Sequence, residues 1–363
     1  MNKYDLYKKI TAMVPVKTEE KKDFRKIVSE NLNSYISFVK HLDTNDRSED
    51  WDNIIARIKQ LCDGINRAIT SEYKGMRHSA YTRIKNQLNG YKTKNREIVG
   101  LALNDNVYTV GVGMVSYRMR KVSLDEQHNL KAKDMFHIPL TKRGIVETQR
   151  YSVPGYPCLY LAHNVYGCWE EMGRPNFGTV MVSKFVTQKE FKMLDLRVPT
   201  REIWENNMKN CLLTFPLVIA SMIQVKNSKD TYKPEYIIPQ LLTEWIISEN
   251  ENNKGDDKIL GIMYTSAHKN DDFSFPDNSY DNYAIPILNP LCGKQYCIKL
   301  TNYFRLTAPT YYDLEVLRQG EGFDSGYIDA TTEEEKRIND LRNSRFGVME
   351  EYLRSRDLEE VTQ

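Results

Sequence analysis

The sequence predicts an α+β protein with a helical N-terminal domain, and three observations lead there. Apolar residues recur at helical spacing through residues 1–100, strand-like and helix-like stretches alternate over 101–310, and a helical pattern returns over 311–363. A chain of 363 residues exceeds the usual single-domain size, so these three stretches are read as a helical domain, a mixed-sheet core and a C-terminal helical extension.

In the first stretch, Ile54, Ile55, Ile58, Leu61, Ile65 and Ile69 fall on one helical face, with Asp52 placed to cap the helix that carries them. Phe24 to Val39 has a looser pattern of the same period, and Asn89-Gly90 marks the end of the region. The polar cluster Asn104-Asp105-Asn106 is a turn, followed by strands over Val107 to Val112 and Met114 to Met119. Pro157 to Ala162 reads as a short buried strand. Asn164 can cap the helix after it, which Gly173 and Pro175 stop. Cys211 to Val225 reads as a buried helix, since Thr214, Pro216, Ser221 and Gln224 interrupt it too often for a bilayer span. Pro239 to Ser248 is a helix with proline in its first turn, and Ile259 to Tyr264 a buried strand. Glu249 to Asp257 and Asn270 to Asn282 read as loops. Near the end, Thr332 to Glu335 forms a capping box at the head of one amphipathic helix.

Composition excludes several classes of function. Lys+Arg at 51 against Asp+Glu at 49 leaves a formal charge of +2, with no electrostatic footprint for nucleic acid or an anionic membrane. The N-terminus lacks the apolar core of a signal peptide, which makes a cytoplasmic protein the expectation. Six cysteines without paired spacing fit reduced thiols, and Cys158, His163 and Cys168 match no common metal site. Gly111-Val-Gly113 lacks the third glycine of a dinucleotide fingerprint.

The candidate chemistry lies at Tyr117-Arg118-Met119-Arg120, at Gln149-Arg150 entering the turn at Pro154-Gly155, at Tyr160 followed by Trp169-Glu170-Glu171, and at Tyr264-Thr265-Ser266. Each has an ordinary structural reading as surface charge, strand packing or turn. Glu170 and Glu171 stand apart, because carboxylates near a helix C-terminus oppose its dipole.

Taken in order, the set resembles the RES domain, a family named for its Arg, Glu and Ser positions. The resemblance runs from Tyr117-Arg118 through Phe136-His-Ile-Pro139, Gln149 to Gly155, Cys158-Leu-Tyr160 and Cys168-Trp-Glu-Glu171 to Gly261-Ile-Met-Tyr-Thr-Ser266. It implies an ADP-ribosyltransferase-like core that degrades NAD, as the toxins of RES–Xre toxin–antitoxin pairs do. Arg118, Glu171 and Ser266 are the implied catalytic residues, and Arg150, Tyr160 and Arg120 the implied binding residues. Arg120 competes with Arg118, and Glu170 with Glu171. NAD is then a substrate and no further cofactor or metal is expected. The implied partners are inorganic phosphate as acceptor and a small helix-turn-helix antitoxin.

The residue types suit the reaction. Breaking the nicotinamide–ribose bond develops oxocarbenium-like charge on the ribose, which a carboxylate stabilises. Arginines grip a pyrophosphate through bidentate, charge-assisted hydrogen bonds. ADP-ribose transfer to a macromolecule and a non-catalytic NAD sensor are the competing readings, and oligomeric state is left open.

Overall fold

In the computed structural model the chain is α+β. The structure describes all residues except 20–21, 47–49, 94–95, 102–105, 124, 126–128, 253–257, 270–274, 289, 291–292, 320–331 and 363. Asn104, Asp105, Cys292 and parts of the two expected loops therefore lie outside the described residues. The helices are α1 (Lys3–Thr11), α2 (Phe24–Lys40), α3 (Trp51–Tyr73), α4 (Arg77–Asn89), α5 (Val165–Glu171), α6 (Arg201–Ser221), α7 (Ile237–Asn252), α8 (Ile298–Thr301), α9 (Tyr312–Gln319), α10 (Glu333–Asn343) and α11 (Arg345–Arg354). The strands are β1 (Tyr91–Thr93), β2 (Arg96–Ile98), β3 (Val107–Val110), β4 (Val115–Lys121), β5 (Cys158–Ala162), β6 (Val180–Thr187), β7 (Phe191–Leu196), β8 (Ile259–Thr265), β9 (Asp281–Pro286), β10 (Phe304–Thr307) and β11 (Leu358–Glu359).

Two compact units divide the chain. The first comprises Met1–Tyr108, Thr148–Val153 and Met193–Ala267. The second comprises Thr109–Glu147, Pro154–Lys192 and His268–Gln363.

The first unit is a helical body around α6. Leu32 and Tyr35 of α2, Ile58 and Ile65 of α3, and Leu212 and Phe215 of α6 are all buried, as the helical periodicity requires. The helix expected behind an Asp52 cap starts two residues earlier: Trp51 is its first residue, with Asp50 at the cap position making no side-chain cap bond. Trp51 is buried, and seating its ring draws the helix start back. The short segment Thr148–Val153 belongs to this unit because Gln240 of α7 donates from Nε2 to the carbonyls of Gln149 and Ser152 at 3.1 and 3.2 Å.

Pro216 lies inside α6, where it removes the amide that would bond the Leu212 carbonyl one turn back. The Tyr35 hydroxyl fills that gap, donating to the Leu212 carbonyl at 2.6 Å, fully buried, with its ring stacked on Phe215 at 5.5 Å. The sequence shows the broken ladder; the replacement donor comes from 177 positions away.

The second unit is built on a sheet of order β11-β10-β6-β4-β5-β9. The registers within it are antiparallel, from Leu306↔Glu359 at one end to Cys158↔Pro286 at the other. One face packs Tyr117, Met119, Val180 and Val182 against Val165 and Cys168 of α5 and Met349 and Leu353 of α11. The C-terminal stretch is two helices rather than one. Thr332 and Glu335 form the expected capping box on α10, but Ser344 turns extended (ψ 164°) and caps α11. Gly347 makes the corner tight enough, since a Cβ there would sit 2.4 Å from the Arg342 carbonyl. No helix among the described residues is long and apolar enough to cross a membrane.

Replacing Tyr35 with Phe is expected to cost about 1–3 kcal/mol, because it leaves the Leu212 carbonyl buried and unbonded. Urea unfolding of the two proteins measures this, and equal midpoints would refute it.

Candidate functional site

β4 is paired along its whole length with β6, from Val115↔Val186 to Lys121↔Val180. Toward β5 it pairs at one register position, Tyr117↔Ala162. β5 is itself fully laddered to β9 on its far side. β4 and β5 therefore part beyond Tyr117 and Ala162, leaving Arg118 and Arg120 on one lip of a split and Tyr160 on the other. At the parting point the Cys168 thiol donates to the Tyr117 carbonyl at 3.3 Å, covering the bared strand edge.

The pleat separates β4's side chains. Tyr117 and Met119 enter the core under α5, so Ser116, Arg118 and Arg120 share the opposite face. Arg120 spends one donor on the Asp134 carbonyl at 3.0 Å and is otherwise exposed. Arg118 differs: its Nη1 is buried with no hydrogen-bond partner among the described residues. The hydroxyl of Ser183, its register partner on β6, is likewise buried and unpartnered. Burial lowers Arg118 to about 10, the Arg120 charge adds to this, and Cys168 and Tyr160 oppose it. The guanidinium remains cationic at neutral pH, and its field reaches residues on α5 and β5. A desolvated cation with an idle donor is a ready anion site.

α5 supplies the carboxylates. Asn164 caps it, accepting from the Gly167 amide at 2.7 Å, and Gly173 ends it at φ 73°. Glu170 is 3% exposed and is held by Arg174 at 3.1 Å through both Nε and Nη2. Arg174 takes φ 59°, unusual for a side-chain-bearing residue, and stacks over Trp169 at 5.6 Å. Glu171 is half-buried, and its Oε1 accepts from Asn282 Nδ2 at 2.8 Å. Of the two adjacent acids, Glu170 is committed to an ion pair and Glu171 is the one presented by a single orienting hydrogen bond.

Two other titratable groups near the split have structural roles. His137 is 1% exposed, accepts from the Cys297 amide at 2.9 Å, and is pushed down to about 4 by burial, so it is neutral at pH 7. Burial raises the Cys168 thiol well above its ordinary range, which makes it a poor nucleophile.

The N-terminal end of α5 is fastened by a residue with no sequence signature. Glu350 of α11 accepts the Val165 amide at 2.8 Å, and burial pushes its carboxyl up to about 7. It borders a cavity of about 350 Å³ shared with His163, Asn164, Arg342, Glu351 and Arg354.

The remaining expected residues belong to the first unit. Arg150 donates from Nη1 to the carbonyls of Ser221 and Ile223 at 2.9 and 3.1 Å, closing the end of α6, and lies over Tyr236 at 5.2 Å. Ser266 directly follows β8 and is 1% exposed, next to Thr265, whose hydroxyl accepts the Val198 amide at 3.0 Å.

Over 297 residues the chain is 32% identical to "Putative toxin YopC" of Bacillus subtilis (strain 168). The match takes in 77% of this chain and spans 65% of that protein's length. No family model matches the chain, and no solved structure matches it.

The raised Glu350 carboxyl yields a stability prediction with a definite sign. Its unfolded value is about 4.3, so the folded state binds the extra proton and stability falls as pH rises from there to about 7. Glu350→Gln keeps an acceptor for Val165 and removes the charge. The melting temperature of the variant relative to wild type should therefore be higher at pH 8 than at pH 5. A difference independent of pH would refute the assignment.

Proposed function

We propose that this protein degrades NAD by breaking the nicotinamide–ribose bond, as a glycohydrolase or phosphorylase, and acts as a toxin. The observation that carries the reading is the buried guanidinium nitrogen of Arg118, without a partner among the described residues, beside the single β4–β5 register contact; Glu171, held by one hydrogen bond, belongs to the same unit on the opposite, α5-covered face of the sheet. The order of residues resembling the RES domain supports it, and the toxin role is supported by the name of the Bacillus subtilis relative.

In this reading Arg118 binds the NAD pyrophosphate, replacing its hydration with charge-assisted hydrogen bonds, and Arg120 on the same face adds positive potential. Tyr160 offers its ring or hydroxyl to the nicotinamide end. The C–N glycosidic bond breaks with its electron pair leaving on nicotinamide. Glu171 faces the oxocarbenium-like ribose and accepts from a ribose hydroxyl, an interaction that strengthens as charge develops. Water or inorganic phosphate then forms the new C–O bond at the anomeric carbon, water losing its proton to solvent. Arg150 and Ser266, which the resemblance also implies, belong to the first unit and take no part in this reading of the second. A toxin of this kind requires a neutralising partner, for which a small antitoxin protein is the candidate.

Pure protein mixed with NAD, with and without phosphate, is expected to release nicotinamide together with ADP-ribose or its phosphorylated form, identified by mass. Glu171→Gln should lower turnover by about 100-fold or more, since it removes charge stabilisation needed in the transition state. Arg118→Ala should act mainly by raising KM. Full NAD consumption by both variants would sink the site. Label transferred to a macromolecule would make the protein an ADP-ribosyltransferase, and saturable binding without turnover an NAD sensor.

A further inference from the structure

We propose that Asn282 is a positioning residue for the Glu171 carboxylate, set in place by close packing of α5 at Gly167. The role of Glu171 as the acting carboxylate rests on the NAD-cleaving reading above.

The geometry begins at Gly167. A Cβ there would lie 2.7 Å from the Ser279 carbonyl, so only glycine lets α5 approach the turn that leads into β9 this closely. Beside it, the Tyr166 and Tyr280 hydroxyls meet at 3.0 Å, buried, with their rings edge to face at 5.6 Å. These contacts lock the helix onto the Ser279–Tyr280 segment. Glu171 lies four residues after Gly167, on the same helical face one turn later. Asn282 lies three residues after Ser279, on β9. The approach at one end of α5 therefore delivers Glu171 to Asn282 at the other.

Asn282 is itself buried on a paired strand. It is 2% exposed, and its register partner on β5 is Ala162, so its side chain rises from a paired strand onto the face that α5 covers. Its Nδ2 donates to Glu171 Oε1 at 2.8 Å, and Glu171 Oε2 takes no hydrogen bond among the described residues. One carboxylate oxygen is tethered and the other is kept for the substrate. An amide suits this position: it donates without adding charge, where a lysine would compete as a counter-ion and an aspartate would repel.

The test uses the full-length protein and nicotinamide release from NAD. Asn282→Ala should lower kcat by about 10- to 100-fold, the loss of a hydrogen bond to a charged group, with KM nearly unchanged. Asn282→Asp should be as poor at pH 8 and recover toward wild type near pH 5.5, where a shared proton restores a donor between the two carboxyls. Asn282→Ala should show no such recovery. Gly167→Ala should reproduce the kcat loss from outside the site by pushing α5 away from Ser279. Wild-type kcat in Asn282→Ala, or parallel pH profiles for the two Asn282 variants, would overturn the role.

Crystal structures of wild type and Asn282→Ala read the same point without catalysis. Glu171 should occupy one rotamer in wild type and several in the variant; an unchanged rotamer overturns the proposal. A wild type with Glu171 held as described that leaves NAD intact would instead overturn the NAD-cleaving reading.

Discussion

The single register contact between β4 and β5 is the constraint on which the surroundings of Arg118 depend. A sheet normally satisfies every backbone group of an interior strand from both sides. β4 is paired along its whole length with β6 and at one register position with β5. The split leaves the Arg118 guanidinium desolvated yet unpaired, which is costly in the empty protein and favourable once an anion arrives.

α5 is short, and a helix of its length has little stability of its own. It is held instead by contacts along its length: Asn164 and Glu350 at its first amides, Gly167 against Ser279, the Cys168 thiol on the Tyr117 carbonyl, and Arg174 just past its end. These contacts give adjacent acids opposite fates. Successive helical residues point about 100° apart, so Glu170 turns inward to Arg174 and Glu171 turns toward β9. The C-terminal helices take part in this, because α11 supplies Glu350.

The first unit solves a different problem. α6 carries a proline at its buried centre and ends at residues whose carbonyls need donors. Tyr35 serves the carbonyl that Pro216 abandons, and Arg150 serves those of Ser221 and Ile223. Arg150 thus works within the helical body.

Much of the local structure was legible because it is written in neighbouring residues. The periodicity from Phe24, the Asn164 cap, the Gly173 stop and the Thr332–Glu335 box all appear where spacing places them. The α+β class followed from the same signals. Long-range partners left no trace of this kind. Asn282 lies 111 positions from Glu171, Glu350 lies 185 from Val165, and Tyr35 lies 177 from Leu212. Each is one polar residue on an ordinary strand or helix, without period or motif. The sequence by itself determined the α+β class and the place of most helices and strands, though not the break between α10 and α11. Only the tertiary structure paired Glu170 with Arg174, hydrogen-bonded Glu171 to Asn282, and left Arg118 Nη1 without a partner among the described residues while engaging Arg120. Those choices turn on hydrogen-bond distances of about 3 Å, which chain folding sets and residue order does not encode locally.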